Sequence, residues 1–549
     1  MISWISGGLD IGLPFRIAAC WCALAGSLLY ADSYPRQPGA DVQHYIFRIA
    51  LGDGSDEISG ETTITVRFIE NGVREFALDL ASAAKGKGMS VTAVAAGGAP
   101  ARYTHRGDRL AIAVAPPSQA GELREFTVRY RGVPAGGLRI GANQYGERTF
   151  FSDNWPDRAR QWLPTVDHPY DKASSEFIVT APAKYQVVAN GRLEEIRDLG
   201  GSEELRLTHW KESTPIASWL NCIAVARFAS RHFATAAGAP LDTWLFPKDR
   251  EAGILTFEEP ERQAMEFFSQ RVGPFPYEKL AAVEAASQDA GMENASAIFL
   301  GEKLVSGSPA SDLVWHEAAH QWFGDSVTEK DWDEVWLSEG FATYFALLAR
   351  EHYEGRDAFV AGLERSRDIV FRTERKLPDV AVIANRPWTG IPNNIVYQKG
   401  AWVLHMLRGY LGTPAFWQGI REYYRRFRDS NASTADLRKV MEDVSGKDLG
   451  WFFDQWLYRA GSPVLEGGWR YDAAAKKIEI DLAEVQPGEV YRLPLEVAVK
   501  GAGGVPAAIA KIEMTAARQH FEIPAEREPA AVELDPNTWV LMDAHFTKR

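Results

Sequence analysis

The sequence predicts a multidomain α+β protein: a β-rich N-terminal domain, a mostly helical middle domain and a small C-terminal β-sandwich. Three observations carry that expectation. From about Asp41 to Phe233 apolar and polar residues alternate with period two, as in ETTITVRFI, RLAIAVA and EFTVRYRG. From about Ile254 the apolar period lengthens to about 3.6. After Gly461-Ser462-Pro463 alternation returns in KIEIDLAEV, PLEVAVKG and AAVELD.

Turn residues punctuate the first region at Asp53-Gly54, Gly97-Gly98, Gly136-Gly137 and Asn190-Gly191. The last pair sits between QVVA and RLEEI and predicts a two-residue hairpin. In the middle, helices are expected at Pro260–Val272, Ser311–Phe323, Ser338–His352, Arg356–Thr373, Asn393–Leu411, Pro414–Phe427, Thr434–Val444 and Leu449–Arg459. Thr434-Ala435-Asp436 opens one of them with a capping residue and an early acid. Gly501–Gly504 marks a turn in the terminal region. The expected division is 1–31, 32–238, 239–461 and 462–549.

With 549 residues the chain can bury a sizeable core in several domains. Its 60 Lys plus Arg against 73 Asp plus Glu leave a net charge of −13, which argues against a nucleic-acid binder. The basic and aromatic run Arg421–Arg428 (REYYRRFR) is read as a solvated helix face, and no nucleic acid is expected as a partner. Three cysteines exclude a disulfide framework and an all-Cys metal site, so the chemistry falls to His, Asp, Glu or Ser. No G-x-S-x-G occurs to support a nucleophile-elbow serine hydrolase.

Ile17–Ala31 (IAACWCALAGSLLYA) is a 15-residue apolar stretch just after Arg16, short for a bilayer span and suited to a secretory signal peptide. Asp10 upstream and Leu29 near the cut fit that reading poorly, and a buried N-terminal helix is the alternative. Export to a periplasmic or extracellular space is therefore expected, with a cytoplasmic location if the stretch is not a signal. Removal of the signal would leave only Cys222 and no stable membrane insertion.

The chemistry centres on Trp315-His316-Glu317-Ala318-Ala319-His320, an H-E-x-x-H run on an expected helix. Histidines four apart project from one face and can grip one ion. Glu317 lies about 100° round the helix from His316, off the ligand face but within reach of a metal-bound water. A catalytic zinc needs a third protein ligand and an open position. Glu339 follows His320 after 18 intervening residues, inside Trp336-Leu337-Ser338-Glu339-Gly340, and supplies it. Asp325, Asp333 and Glu334 are candidate acceptors that orient the ligand imidazoles.

Upstream lies Ala290-Gly291-Met292-Glu293-Asn294. With HEAAH and the spaced Glu339, this resembles the zinc metalloaminopeptidases of the aminopeptidase N type, the gluzincin aminopeptidases. ARQWLPTVDHPYDKAS (Ala159–Ser174), HQWFGDSV, DEVWLSEGFATYF, YQKGAWVLHML and ELDPNTWVLMD (Glu533–Asp543) also look like family blocks. The resemblance implies a thermolysin-like catalytic domain and a zinc-dependent aminopeptidase acting on peptides with a free N-terminus. It implies one Zn2+ per chain held by His316, His320 and Glu339, with Glu317 as general base. Tyr397 would stabilise the tetrahedral intermediate, Glu293 would bind the substrate's α-amine, and the backbone of Ala290 and Gly291 would hold its main chain. Three departures stand out: Ala290 where the family motif has Gly, Asp153 where the β domain commonly supplies a Gln or Glu to the amine, and no large helical C-terminal domain. Other readings of the same residues are an endopeptidase or epoxide hydrolase on this zinc site, or a non-catalytic peptide-binding scaffold. Side-chain preference and oligomeric state are not fixed by the sequence.

Overall fold

Alternation in the N-terminal region resolves into three sheets. In Ile58–Phe68 every second side chain is buried, with Ile58, Thr62, Ile64, Val66 and Phe68 facing inward. This strand belongs to an eight-stranded sheet that also holds Ala40–Ala50, Leu123–Val133, Lys172–Pro182 and Leu205–Ala217. Ala40–Ala50 pairs in parallel with Lys172–Pro182, His44 opposite Ser174, and antiparallel with Ile58–Phe68. A four-stranded sheet carries Arg148–Asp153 beside Gly137–Ala142, and a three-stranded one holds Glu75–Asp79. The computed structural model describes residues 32–201, 204–383, 394–501 and 508–549. The apolar stretch Ile17–Ala31, Asn393 at the start of an expected helix, and all of the Gly501–Gly504 turn after Gly501 lie outside the described residues.

Asn190-Gly191 is not a hairpin. Gln186–Ala189 pairs with Ile223–Ala226 in the four-stranded sheet, whereas Arg192–Gly200 pairs with Leu205–Ala217 in the eight-stranded one. The dipeptide is the corner where the chain changes sheets. Gly191 has φ +73° and its Cα lies so close to the next strand that a Cβ would stand 1.9 Å from the Lys211 carbonyl oxygen. The buried Asn190 amide donates to the carbonyls of Leu220 and Ala295, and its oxygen accepts from Cys222 N–H.

A five-stranded sheet runs in the order Ala229–Ala236, Ala239–Leu245, Leu280–Ala285, Ile298–Gly301, Gly291–Met292. Its first two strands form an antiparallel hairpin, so this sheet spans the expected boundary at 238. Gly291–Met292 is an edge strand, antiparallel to Ile298–Gly301. Eight α-helices follow among the described residues: α1 Arg250–Arg271, α2 Ser311–His320, α3 Trp336–Tyr353, α4 Arg356–Lys376, α5 Gly400–Leu411, α6 Thr413–Phe427, α7 Thr434–Ser445 and α8 Gly450–Leu457. None is long and apolar enough to cross a membrane. α7 starts with a full capping box between Ser433 and Asp436. On α6, Arg425 and Arg426 both pair with Glu422 and lie outward, while Tyr423 and Tyr424 are buried.

α1 begins ten residues before the expected Pro260, which sits inside the helix. Proline removes one intrahelical donor and would strand the carbonyl four residues earlier. That carbonyl belongs to Thr256, and it accepts the backbone N–H of Ala310 at 3.0 Å. The same bond docks the segment leading into α2.

Two sheets form the C-terminal sandwich: Val464–Asp472, Lys477–Glu484, Arg518–Pro524 and Asp543–Lys548 in one, Leu493–Lys500, Ala508–Met514 and Ala531–Leu534 in the other. Ile478, Ile480, Leu482, Leu493, Leu495 and Val497 are buried. The sandwich is tied to α5 through His405, whose Nε2 donates to the Thr538 carbonyl at 2.8 Å while its ring stacks on Trp539. Burial pushes this imidazole down to about 3, so it is neutral.

α3 and α5 cross at Gly340 and Gly400, where a Cβ on Gly340 would stand 3.0 Å from the Gly400 backbone. Gly340→Val should therefore lower the unfolding free energy by about 1–3 kcal/mol through overpacking. Denaturant titration of the full chain reads this; an unchanged midpoint would show that the crossing tolerates branching.

Candidate metal centre and peptide site

α2 places His316 and His320 one turn apart at its C-terminal end, with Nε2 atoms 3.1 Å from each other. Glu339 comes from the first turn of α3, its Oε2 lying 3.4 Å from His316 Nε2 and 3.3 Å from His320 Nε2. The three side chains offer ligand atoms all within 4.8 Å of one another. Glu339 is 3 % exposed and its Oε2 makes no hydrogen bond. A buried acceptor left open toward two imidazole nitrogens suits a cation, and two His with one carboxylate is a zinc donor set.

The turn that brings α3 back onto α2 has strict steric needs. Gly324 has φ +114°, and a Cβ there would stand 2.2 Å from Ser338 Oγ and 3.2 Å from His320 Nδ1. Ser338 Oγ lies 3.0 Å from His320 Nδ1, and the Phe323 carbonyl lies 3.2 Å from it. These two groups, rather than the three acids, fix that imidazole. Asp325 accepts from Gln321, Asp333 accepts from the backbone N–H of Asp32, and Glu334 accepts from the N–H of Thr434. Their carboxylates serve the packing of the turn against neighbouring elements. Ser338 went unassigned in the sequence although it lies inside WLSEG, one residue before a ligand.

Gln321 also went unassigned. Its Nε2 donates to the Glu293 carbonyl at 2.9 Å and to Asp325 Oδ2 at 2.8 Å, and its Oε1 accepts from Ser296 N–H at 2.8 Å. The residue directly after the H-E-x-x-H run thus clamps the Ala290–Asn294 segment to the metal helix. Gly291 lies against Glu317, where a Cβ would stand 2.1 Å from Glu317 Oε1. The Ala290 carbonyl accepts from Gly301 N–H, which holds the edge strand in register. Glu293, Glu317 and His320 bring ligand-type atoms within 4.8 Å of one another. Burial and the adjacent Glu293 push Glu317 well above the usual carboxylate range. Burial, with a further contribution from Glu339, pushes Glu293 up to about 7 against the pull of His320.

Tyr397 sits on a π-turn, Ile395–Lys399, that opens into α5. Its hydroxyl donates to Glu339 Oε1 at 2.6 Å, and its ring lies nearly parallel to His316 at 5.8 Å between centroids. Two residues on, buried Lys399 donates to Glu374 Oε1 at 2.8 Å and to the Gly461 carbonyl at 2.5 Å, which pins the turn. Ala290, Gly291, Glu293, Glu317 and Tyr397 share one cavity of about 560 Å³ with the three metal-site residues. Asp153 does not join them. It is 5 % exposed and ion-paired with Arg139 at 2.6 Å and with Arg158, so its charge is already matched.

Comparison with known proteins bears on the fold and the family. A family model described as the Peptidase M1 N-terminal domain matches residues 42–220, and one described as the Peptidase family M1 domain matches residues 258–456. Glutamyl aminopeptidase of Rattus norvegicus is 26% identical over 347 residues, 60% of this chain and 36% of that protein. Aminopeptidase N of Streptomyces lividans is 29% identical over 333 residues, 56% of this chain and 38% of that protein. The chain thus spans little more than a third of the length of these relatives. An M1 zinc metallopeptidase from Deinococcus radiodurans superposes with a TM-score of 0.67 at 26% identity, covering 77% of this chain and 95% of that one. A mutant of that enzyme bound to the substrate Tyr-Ser-Ala superposes with a TM-score of 0.65.

Ser338→Ala should weaken metal retention by about 10- to 100-fold, because the His320 ring loses the hydroxyl that orients it. Competition with a zinc-binding dye reads the loss; wild-type retention would return the orienting role to the Phe323 carbonyl alone.

Proposed function

The chain belongs to peptidase family M1, and we propose that it is a zinc-dependent aminopeptidase that hydrolyses the N-terminal bond of peptides. The observation that carries this reading is the position of Glu293, a buried carboxylate beside the Glu317 and His320 atoms at one end of the metal site. A carboxylate there pairs with a protonated amine and so measures one residue from the N-terminus.

His316, His320 and Glu339 would hold the ion. Zinc at that point supplies Lewis-acid polarisation of the carbonyl and acidification of bound water. Glu317 is placed to accept the water's proton and to return it to the leaving amine. Tyr397 presents a hydroxyl aimed into the ligand set, where it can turn from Glu339 Oε1 to a developing oxyanion. The free edge of Gly291–Met292 offers backbone groups to an extended substrate. The amine contact rests on Glu293, since Asp153 is occupied by two arginines. The non-catalytic scaffold reading loses support because ligands, base and tyrosine all converge in one cavity. The apolar Ile17–Ala31 stretch supports export as the setting.

Aminoacyl anilides with free and acetylated amino termini test the reading directly. Cleavage of the free-amine forms alone, lost on chelation and restored by zinc, is expected; equal cleavage of blocked forms would remove Glu293 from its role. Glu317→Gln should keep the metal and lower turnover by about 10²- to 10⁴-fold. Near-normal turnover in that variant would overturn the mechanism. Gly291→Ala should also cut turnover sharply, since the new methyl collides with the Glu317 carboxylate, and Gly291→Ala that turns over normally would show that the base has room to move.

A further inference from the structure

The cavity does not stop at the metal ligands. α2 and α3 run antiparallel: His320 meets Glu339 at one end, and Asp312 pairs with Arg350 at the other. Leaving the ligands, the cavity is lined along α2 by Leu313 and Asp312 and along α3 by Thr343, Ala346, Leu347 and Arg350. α4 supplies the third wall through Gly362, Arg365, Ser366 and Ile369. The result is an open groove leading away from the metal site, apolar in its middle, with two arginines and Asp312 at its far end.

Glu293 stands at the opposite end, beside His320 at the C-terminus of α2. If the substrate's amine is held there and its first peptide bond lies at the metal, the residues after that bond enter the channel. From Glu339 to Arg350 is eleven residues of helix, roughly 16 Å at about 1.5 Å per residue. Two extended residues cover about 7 Å of that length, and Arg365, which lines the same cavity, is long enough to span much of the rest.

Two guanidinium groups converge at that far end. A Cβ on Gly362 would stand 3.6 Å from Arg350 Nη1 and 3.8 Å from Arg365 Nη2, and only 2.5 Å from Leu347 Cδ2, so the glycine is what lets α4 close on α3 there. Arg350 is matched by Asp312 and by Glu354 at 3.1 Å. Arg365 is exposed and, among the described residues, makes no hydrogen bond or ion pair. An arginine held beside a second arginine, lining the catalytic cavity with no acid of its own, has its natural partner in an incoming carboxylate.

We propose that Arg365, backed by Arg350, anchors a carboxylate placed about two residues beyond the cleaved bond, which makes the enzyme selective for short peptides ending there. This rests on the aminopeptidase reading and names the substrate class of the same site. A C-terminal carboxylate of a tripeptide and an acidic side chain at that position share the required chemistry, and the test separates them.

The experiment compares kcat/KM for Ala-Ala-Ala, its C-terminal amide and Ala-Ala-Glu amide in the zinc-loaded wild type, in Arg365→Ala and in Arg372→Ala. Arg372→Ala removes the same charge from the same helix outside this cavity. Wild-type enzyme should favour the free acid over the amide on the order of tenfold, expressed in KM. Arg365→Ala should bring that ratio to about one, and Arg372→Ala should retain it. Preference for Ala-Ala-Glu amide over Ala-Ala-Ala amide, lost with Arg365, would support the anchor and extend it to acidic side chains. A wild-type ratio near one, or a ratio indifferent to Arg365, would overturn the anchor while leaving an aminopeptidase. Calorimetric titration of the Glu317→Gln holoenzyme with the acid and the amide reads the anchor without turnover. Tighter binding of the acid there, with no hydrolysis by the wild type, would keep the anchor and overturn the aminopeptidase reading.

Discussion

The structure depends on burying three carboxylates, Glu293, Glu317 and Glu339, against two imidazoles in one small volume. Like charges in a low-dielectric interior repel, and each lost hydration is costly. Asp325 and Glu329 are buried close by and are also pushed upward by burial and by Glu293. Only His316 and His320 offer compensating charge among the ligand groups, and burial lowers the affinity of His316 for a proton. A divalent cation held by His316, His320 and Glu339 would offset part of that negative charge.

Several local features follow from that requirement. Gly324 lets the chain turn tightly enough for α3 to present Glu339 to α2. Gly340 and Gly400 let α5 lie against α3, which carries the π-turn of Tyr397 to the carboxylate. Gln321 binds the edge-strand segment to the metal helix by two hydrogen bonds and the following turn by a third, to Asp325. The N-terminal sheets brace the same turn from outside: half-buried Lys172 donates to the carbonyls of Asp325 and Ser326 at 2.9 and 2.7 Å. Lys279 reaches across in the other direction to the Ala189 carbonyl at 2.8 Å. The two regions therefore share buried backbone acceptors and are not merely apposed.

What was legible in the sequence was whatever depends on periodicity or on fixed local spacing. Strand alternation located the sheets, and four-residue spacing placed both histidines on one helix face. The same local reading failed where a distant element decides. Asn190-Gly191 carries the residue types of a tight hairpin, yet its conformation serves a change of sheet because Asn190 finds buried carbonyls far along the chain. Pro260 looks like a helix start, yet the helix runs through it because Ala310 takes the stranded carbonyl of Thr256. Asp153 lies at the end of the strand Arg148–Asp153, where Arg139 on the paired strand and Arg158 five residues on match its charge, a pairing that only the folded strands bring about. Ser338 could have been found as the hydroxyl beside the third ligand; that it faces His320 depends on a turn whose geometry no spacing rule specifies.

The division of labour between helices follows from these contacts. The candidate metal ligands and Glu317 sit at the junction of α2 and α3, where Gly324 leaves no room for a side chain. The channel walls beyond it are single faces of α2, α3 and α4, where a side chain can change without moving a ligand. Glu293, the proposed amine-binding group, is tied to α2 through Gln321, which holds its distance from the metal site. The distance from the scissile bond to the far end of the channel is set separately, by how closely α4 packs on α3 at Gly362. One fold can thus hold its chemistry constant while the length and charge of the departing peptide are selected by a different pair of helices.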